Sequence, residues 1–95
     1  MFLVLLRFSQ NKDGAGAFMA DHNAWIARGF ERGQFLMTGG LKPGLGGAVL
    51  AAGMTRAELE GLVAEDPFVR HDVVVPEVLE ITPGRLDPRL DFLAA

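Results

Sequence analysis

His22 is the first residue of this sequence whose type and position suggest chemistry. Residues 16–32 have the apolar periodicity of an amphipathic helix, and His22 falls near the middle of the apolar side, with Phe18 and Trp25 flanking it. A histidine there can be a packed side chain whose ring nitrogens bond to the backbone, since buried polar groups are normally hydrogen-bonded. It can also be a general acid or base in a half-buried pocket, because imidazole exchanges protons near neutral pH. The local pattern leaves both interpretations open.

A catalytic histidine needs an orienting partner, and Asp66 is the carboxylate whose place in the chain fits that role best. It follows a second predicted helix, which is expected to lie beside the first on the same face of a sheet. Asp66 also has a purely structural explanation. An aspartate before a proline, here Pro67, is typical of a helix start, in which the aspartate caps the first turn. Asp87 and Pro88 repeat the pattern with no site implied.

Metal and nucleotide sites have no clear signature in this sequence. The two histidines, His22 and His71, are not spaced as a metal-binding pair on one helix, and the absence of cysteine excludes a thiolate zinc site. The glycines within 39–47 match neither the dinucleotide-binding nor the phosphate-loop spacing, and no helix follows them directly. We interpret these glycines as turn residues and expect neither a metal nor a cofactor.

Six main elements must position these side chains. Hydrophobic patterning predicts four strands at 2–8, 34–40, 48–52 and 73–82, and two helices at 16–32 and from the cap at Thr55 to about Ala64. Gly33 is the expected stop of the first helix, and Thr55 with Glu58 forms a capping box at the start of the second. Pro76 marks the fourth strand as an edge strand. Asp66 and Asp87 each predict a short helical turn, the latter with Leu90 and Leu93 on one side.

The element order β-α-β-β-α-β is the ferredoxin-like pattern, an α+β sandwich with an antiparallel sheet and both helices on one face. One domain is expected over 1–95, with a core at about 1–83 and a C-terminal extension at 84–95. The first and third strands should lie inside the sheet. Because the first strand is apolar on both of its faces up to Arg7, the helix-free sheet face needs a cover. We therefore expect a homodimer joined through that face.

Composition narrows the class of protein. The chain has 95 residues, of which 49% are hydrophobic, and a net charge of −3. This acidic balance argues against nucleic acid and anionic membrane surfaces as partners. The apolar start "MFLVLLRF" lacks the basic region and cleavage site of a signal peptide, and no apolar run approaches the length of a membrane span. A cytoplasmic protein is expected.

Taken together, these residues resemble the YCII-related family of small ferredoxin-like proteins. The resemblance covers the chain to about residue 83. It rests on the histidine within the first helix, on "LMTGG" at 36–40 after the second strand, and on Asp66, Pro67 and Phe68 before a valine-rich strand. The chain departs from the family in its short turn at 41–47 and in "EITPGRL", where an aromatic residue is usual after a late proline.

The resemblance implies a dimeric α/β barrel with a His–Asp pair at the active site, here His22 and Asp66 as catalytic residues. It also implies a pocket for a small-molecule ligand, for which the expected residues are Phe18, Trp25, Met37, Thr38, Gly40 and Phe68. One branch of the family is linked to dehydrochlorination of hydroquinone-type aromatics. Cofactor-independent acid–base chemistry of the lyase or isomerase kind on a small aromatic or lactone-like substrate is therefore expected. Two alternatives stay open: a non-catalytic module that binds a small ligand, and an accessory interaction domain.

Overall fold

The computed structural model describes residues 1–94 and places four strands, three helices and two 3-10 turns in the predicted order. The strands and helices are β1 Phe2–Phe8, α1 Ala15–Glu31, β2 Phe35–Leu41, β3 Gly46–Ala51, α2 Arg56–Ala64, α3 Pro67–Arg70 and β4 Val74–Glu80. The 3-10 turns span Lys12–Gly14 and Pro88–Leu93. The predicted elements are confirmed, with boundaries that shift by one or two residues.

The four strands form one antiparallel sheet in the order β2-β3-β1-β4. The predicted central position of β1 and β3 is therefore confirmed. Pro76 lies in the edge strand β4 opposite Leu6, where the missing backbone N–H of proline can face away from the sheet.

Side chains from one face of the sheet and from all three helices share a single core. Phe2, Val4 and Leu6 alternate along β1 and point to this face, which the helices cover as predicted. The buried members of the core are Phe2, Val4, Leu6, Trp25, Phe35, Val49, Ala51, Leu59, Val63, Phe68, Val73 and Val74.

The opposite face of the sheet is also apolar. Leu3 and Leu5 project from β1 to this face, where Leu3 pairs across the strands with Leu50 and Leu79. The most exposed apolar side chains here are Val75 at 61%, Met37 at 53% and Leu79 at 39%. An ion pair joins Arg7 and Glu77 across the same face at 2.9 Å. We call this surface, formed by residues 3, 5, 7, 37, 48, 50, 75, 77 and 79, the helix-free face.

The helix ends follow the sequence signals. Thr55 and Glu58 form the predicted capping box at α2, and Gly33 follows α1 with a φ of 68°. The C-terminal turn is only partly as predicted. Leu93 is buried, whereas Leu90 is 42% exposed and has non-helical φ and ψ. Residue 95, the last of the predicted extension, lies outside the described residues.

Candidate functional site

Asp66 is held at the start of α3 by its own backbone geometry. Its φ of −61° and ψ of 124° are those of a helix cap, Pro67 occupies the first helical position, and Oδ1 accepts a hydrogen bond from the Phe68 backbone N–H at 3.0 Å. The capping role expected from the sequence is therefore real. Asp66 is nevertheless completely buried, which is unusual for a carboxylate that only caps a helix.

The same carboxylate oxygen of Asp66 meets the imidazole of His22. The distance from His22 Nδ1 to Asp66 Oδ1 is 2.7 Å, and the His22 side chain is 12% exposed. An ionised carboxylate can only accept hydrogen bonds, so the N–H at His22 Nδ1 donates a hydrogen bond to Asp66. In the neutral imidazole, this tautomer leaves Nε2 without a proton. The predicted contact between the two residues is present.

Aromatic stacking fixes the plane of the imidazole. The rings of His22 and Phe68 lie 3.9 Å apart at 8°, and Trp25 stacks more distantly, at 6.0 Å and 25°. His22 Nε2 forms no hydrogen bond with residues 1–94. It also does not belong to the buried polar atoms that lack a hydrogen-bond partner within these residues. One ring nitrogen of His22 is thus anchored, and the other is free to meet a ligand.

Two cavities adjoin His22 and share Leu6 and Gly47. The first cavity has a volume of about 170 Å³ and is lined by Leu6, Phe8, Met19, His22, Asn23, Gly46, Gly47, Phe68 and Val74. The second cavity has a volume of about 200 Å³ and is lined by Leu6, His22, Ile26, Thr38, Gly39, Gly47, Ala48 and Val49. Both are mainly apolar with few polar side chains, as small-molecule sites usually are.

Two of the six residues predicted to contact a ligand line these cavities. Phe68 lines the first cavity and Thr38 the second. The backbone places Thr38 there through a β-bulge: Phe35 pairs with Ala51, but Met37 pairs with Leu50, so one extra residue changes the alternation of β2. Thr38 consequently faces the helices.

The other four predicted contact residues lie outside both cavities. The bulge turns the Met37 side chain onto the helix-free face, away from the cavity wall at which the sequence predicts it. Trp25 is buried in the core behind His22, where its Nε1 donates to the Leu62 carbonyl at 3.0 Å. Phe18 stacks instead on His71, with the rings 4.0 Å apart, and Gly40 lies one residue beyond the cavity-lining Thr38 and Gly39.

Sequence reasoning missed several lining residues. Gly46 and Gly47, interpreted as turn residues, belong to β3 and form part of the cavity floor. Gly46 has a φ of 128°, and a side chain there would collide with the Leu6 carbonyl, so a residue with a Cβ does not fit. Asn23 was also missed, although helical periodicity places it next to Met19 and Phe30 at the margin of the apolar side of α1.

The carboxylate of Asp66 has one unpaired oxygen. Oδ2 is buried and has no hydrogen-bond partner among residues 1–94, whereas Oδ1 has two. A buried acceptor without a donor is costly, and natural proteins keep few of them. The Asp66 carboxylate therefore has its hydrogen bonds on Oδ1 alone, from the Phe68 N–H and the His22 ring.

Other cavities lie away from His22. One of about 280 Å³ lies between α2 and β4, and its polar side chains, Arg56 and Glu60, already pair with each other at 2.9 Å. Another of about 350 Å³ lies beside the C-terminal turn. Among residues 1–94, no three potential ligands of the His, Cys, Asp and Glu types cluster as a metal site would require.

Comparison with known proteins identifies the fold. No protein-family model and no curated protein sequence matches the chain. Among solved structures, it is similar to 5-chloro-2-hydroxyhydroquinone dehydrochlorinase from Burkholderia phenoliruptrix AC1100 in complex with 2,5-dihydroxybenzoquinone. The TM-score is 0.69 at 16% sequence identity, over 88% of this chain and 96% of that one.

This similarity agrees with the sheet order and with the helices on one face, and at that identity it bears on fold alone. No helix within residues 1–94 has the length and apolar character needed to cross a membrane. The chain has a ferredoxin-like α+β fold.

Proposed function

We propose that this chain is a small enzyme in which His22 and Asp66 form an acid–base pair that acts on a small ring compound without a cofactor. The observation that carries the proposal is the asymmetric environment of the imidazole. Its Nδ1 is fixed by a buried carboxylate at 2.7 Å, while the ring borders two mainly apolar cavities.

In the proposed reaction, His22 Nε2 takes a proton from a carbon or hydroxyl of the substrate. The electron pair of the broken bond moves into the ring of the substrate, toward a carbonyl oxygen. Asp66 stabilises the resulting imidazolium and keeps the ring in the required tautomer. The proton is then returned to another substrate atom, which gives an isomerisation, or an anion departs and the imidazolium releases its proton to solvent, which gives an elimination. No electrons are exchanged with a partner in either case.

The size and lining of the first cavity support a single ring as the substrate. An apolar cavity of about 150 Å³ in another protein binds benzene, and the first cavity here has about 170 Å³. Phe68 and Phe8 supply apolar surface for the faces of such a ring. The ring compound in the similar dehydrochlorinase structure is a quinone, which is consistent with this substrate class.

The proposal is tested by turnover of a panel of chlorinated hydroquinones and unsaturated lactones, followed by absorbance and by chloride release. We expect His22→Gln to lower kcat/KM by about 10²- to 10⁴-fold, the usual contribution of a general acid or base. His71→Gln is the matched control, because His71 is exposed and lines neither cavity. Turnover that survives His22→Gln contradicts the acid–base pair, and saturable binding without turnover favours a ligand-binding module.

We also propose that two copies of the chain associate through the helix-free face. This face combines exposed apolar residues with one positive and one negative side chain, Arg7 and Glu77, so it can pair with its own copy without a charge conflict. The order of His22, Thr38 and the Asp66-Pro67-Phe68 run further supports membership of the YCII-related family, which we propose on that basis.

A further inference from the structure

The two cavities beside His22 meet at its imidazole ring. Leu6, His22 and Gly47 line both cavities, and among the described residues His22 is the only titratable side chain that lines either of them. Apart from Asn23 in the first cavity and Thr38 in the second, the other side chains of both linings are apolar. The group able to exchange a proton therefore lies between two apolar spaces rather than at the end of one.

Helix α1 runs alongside both cavities. Met19 lines only the first cavity and Ile26 only the second, and they stand three residues before and four residues after His22. This spacing places all three residues on one side of the helix, about one turn apart. Seven residues of helix rise by about 10 Å, so the two cavities together extend along α1 over the length of two joined rings.

The sheet leaves the space between the cavities open at Gly47. Gly47 pairs with Leu6, whose side chain belongs to the core, so a side chain at residue 47 would point to the face that the helices cover. Unlike Gly46, Gly47 has no positive φ, and the nearest atom to a Cβ built on it is the Gly39 carbonyl oxygen at 3.4 Å. The fold therefore does not require glycine at this position, and a glycine inside a strand often marks the close approach of a ligand.

We infer that the two cavities are the two ends of one binding site, and that its ligand has two apolar parts with the polar, reacting group between them. One apolar part fills each cavity, and the group that joins them passes between Gly47 and His22. A cavity of about 150 Å³ holds a benzene ring in another protein, and the cavities here have about 170 and 200 Å³, so each has room for one ring. The substrate class is a compound with a ring or apolar chain on either side of a hydroxyl or carbonyl carbon. The inference rests on the proposed function only for naming His22 as the residue that meets the reacting group.

The test uses two probes that differ by one ring, benzyl alcohol and diphenylmethanol, titrated into the full chain and followed by protein NMR. We expect the wild-type protein to bind diphenylmethanol about 10-fold more tightly or better, because a second ring is buried. This probe should shift the signals of both Met19 and Ile26, one for each cavity. Gly47→Ala places a methyl group between the cavities, so it should weaken diphenylmethanol binding by about 10-fold and benzyl alcohol binding by no more than about threefold.

Gly40→Ala is the matched control. Gly40 lies directly opposite Gly47 on β2, a Cβ built on it meets nothing closer than 3.9 Å, and it lines neither cavity. This variant should bind both probes as the wild type does, and the same loss of diphenylmethanol binding as in Gly47→Ala would overturn the inference. An equal effect of Gly47→Ala on both probes would also overturn it.

The wild-type comparison stands without either variant. Equal affinity for the two probes, binding of neither, or diphenylmethanol shifts at Met19 or Ile26 alone would overturn the single site with two apolar ends. Because the test measures binding, the expected pattern without turnover of any substrate overturns the enzyme proposal alone. Turnover by a protein that binds both probes equally overturns only the inference of a ligand with two apolar parts.

Discussion

Two aspartates with the same local sequence signal have different surroundings. Asp66 and Asp87 each precede a proline and cap a short turn through their side chains. Asp66 is buried and also bonds to His22, whereas Asp87 is exposed and pairs with Arg89. The difference lies entirely in what the rest of the fold brings near each carboxylate.

We expect Asp66→Ala to lower the free energy of unfolding by about 2–4 kcal/mol. The change removes the cap of α3 and leaves both the Phe68 N–H and the His22 ring without their acceptor. Denaturant unfolding measures the loss. Asp87→Ala removes an equivalent cap on the surface and should have a smaller effect, so a similar loss in both variants would contradict a special role for Asp66.

At the residue scale, the sequence was sufficient to predict His22 and Asp66, but not the residues that line the cavities. Helical periodicity is local, so it placed His22 on the inner side of α1, and the Asp-Pro signal placed Asp66 at a cap. The wall residues depend on pairing between distant strands. A bulge in β2 places Met37 on the helix-free face and Thr38 on the face that the helices cover, and no local pattern in β2 reveals this bulge.

At the element scale, α1 approaches the sheet closely at one point. Gly29 is buried on α1, and a Cβ built there would overlap the ring of Phe35 on β2. The short connection between these elements allows little adjustment. The approach therefore depends on the absence of a side chain at Gly29.

We expect Gly29→Ala to destabilise the protein by about 1–3 kcal/mol, because the overlap with Phe35 outweighs the better helix propensity of alanine. Gly61→Ala is the matched control. Gly61 lies within α2 with nothing within 4 Å of a Cβ, so alanine should stabilise the protein by up to about 1 kcal/mol. Thermal unfolding compares the two variants, and a stabilising Gly29→Ala would contradict the close packing.

The cap of α2 should make part of the stability depend on pH. Hydrogen bonds from the Thr55 backbone N–H and then from the Thr55 side chain lower the pKa of Glu58. A carboxylate with a lowered folded-state pKa stabilises the fold above its unfolded pKa, and this contribution is lost as pH falls through the folded value.

Glu58→Gln should therefore lose less stability than the wild type when the pH is lowered from 7 to 3, as measured by denaturant unfolding at both values. Glu31→Gln, which removes an exposed carboxylate outside this cap, serves as the comparison. An unchanged pH response in Glu58→Gln would show that the capping box does not hold its carboxylate in the ionised form.

The elements themselves were largely predictable because their signals are local. Alternation, helical periodicity and the Thr55 capping box each arise from a few neighbouring residues. Leu90 and Leu93 show the limit of such signals. Their spacing predicts a short helical turn with both side chains on one side, but the turn departs from helical φ and ψ at Leu90, and of the two only Leu93 is buried.

At the scale of the whole molecule, the helix-free face is the surface on which the predicted dimer depends. Met37 is half exposed at its edge, opposite Leu50. We expect the wild type to sediment as a dimer at micromolar concentration, and Met37→Glu to shift the equilibrium toward the monomer because it would bury a charge without a partner.

Analytical ultracentrifugation of both proteins tests this prediction. Ala57→Glu adds the same charge to the exposed surface of α2 and should leave the dimer intact. A wild-type protein that sediments as a monomer at micromolar concentration rules out association through the helix-free face at that affinity.

The four-residue helix α3 carries both supports of the His22 ring, since Asp66 caps it and Phe68 belongs to it. The site therefore assembles and disassembles as one cooperative unit, because any local opening of α3 removes the carboxylate and the stacking partner together. A bound ligand that contacts His22 stabilises this unit against opening. Amide hydrogen exchange at Phe68, whose N–H bonds to Asp66, consequently reports occupancy of the site without any assay of turnover.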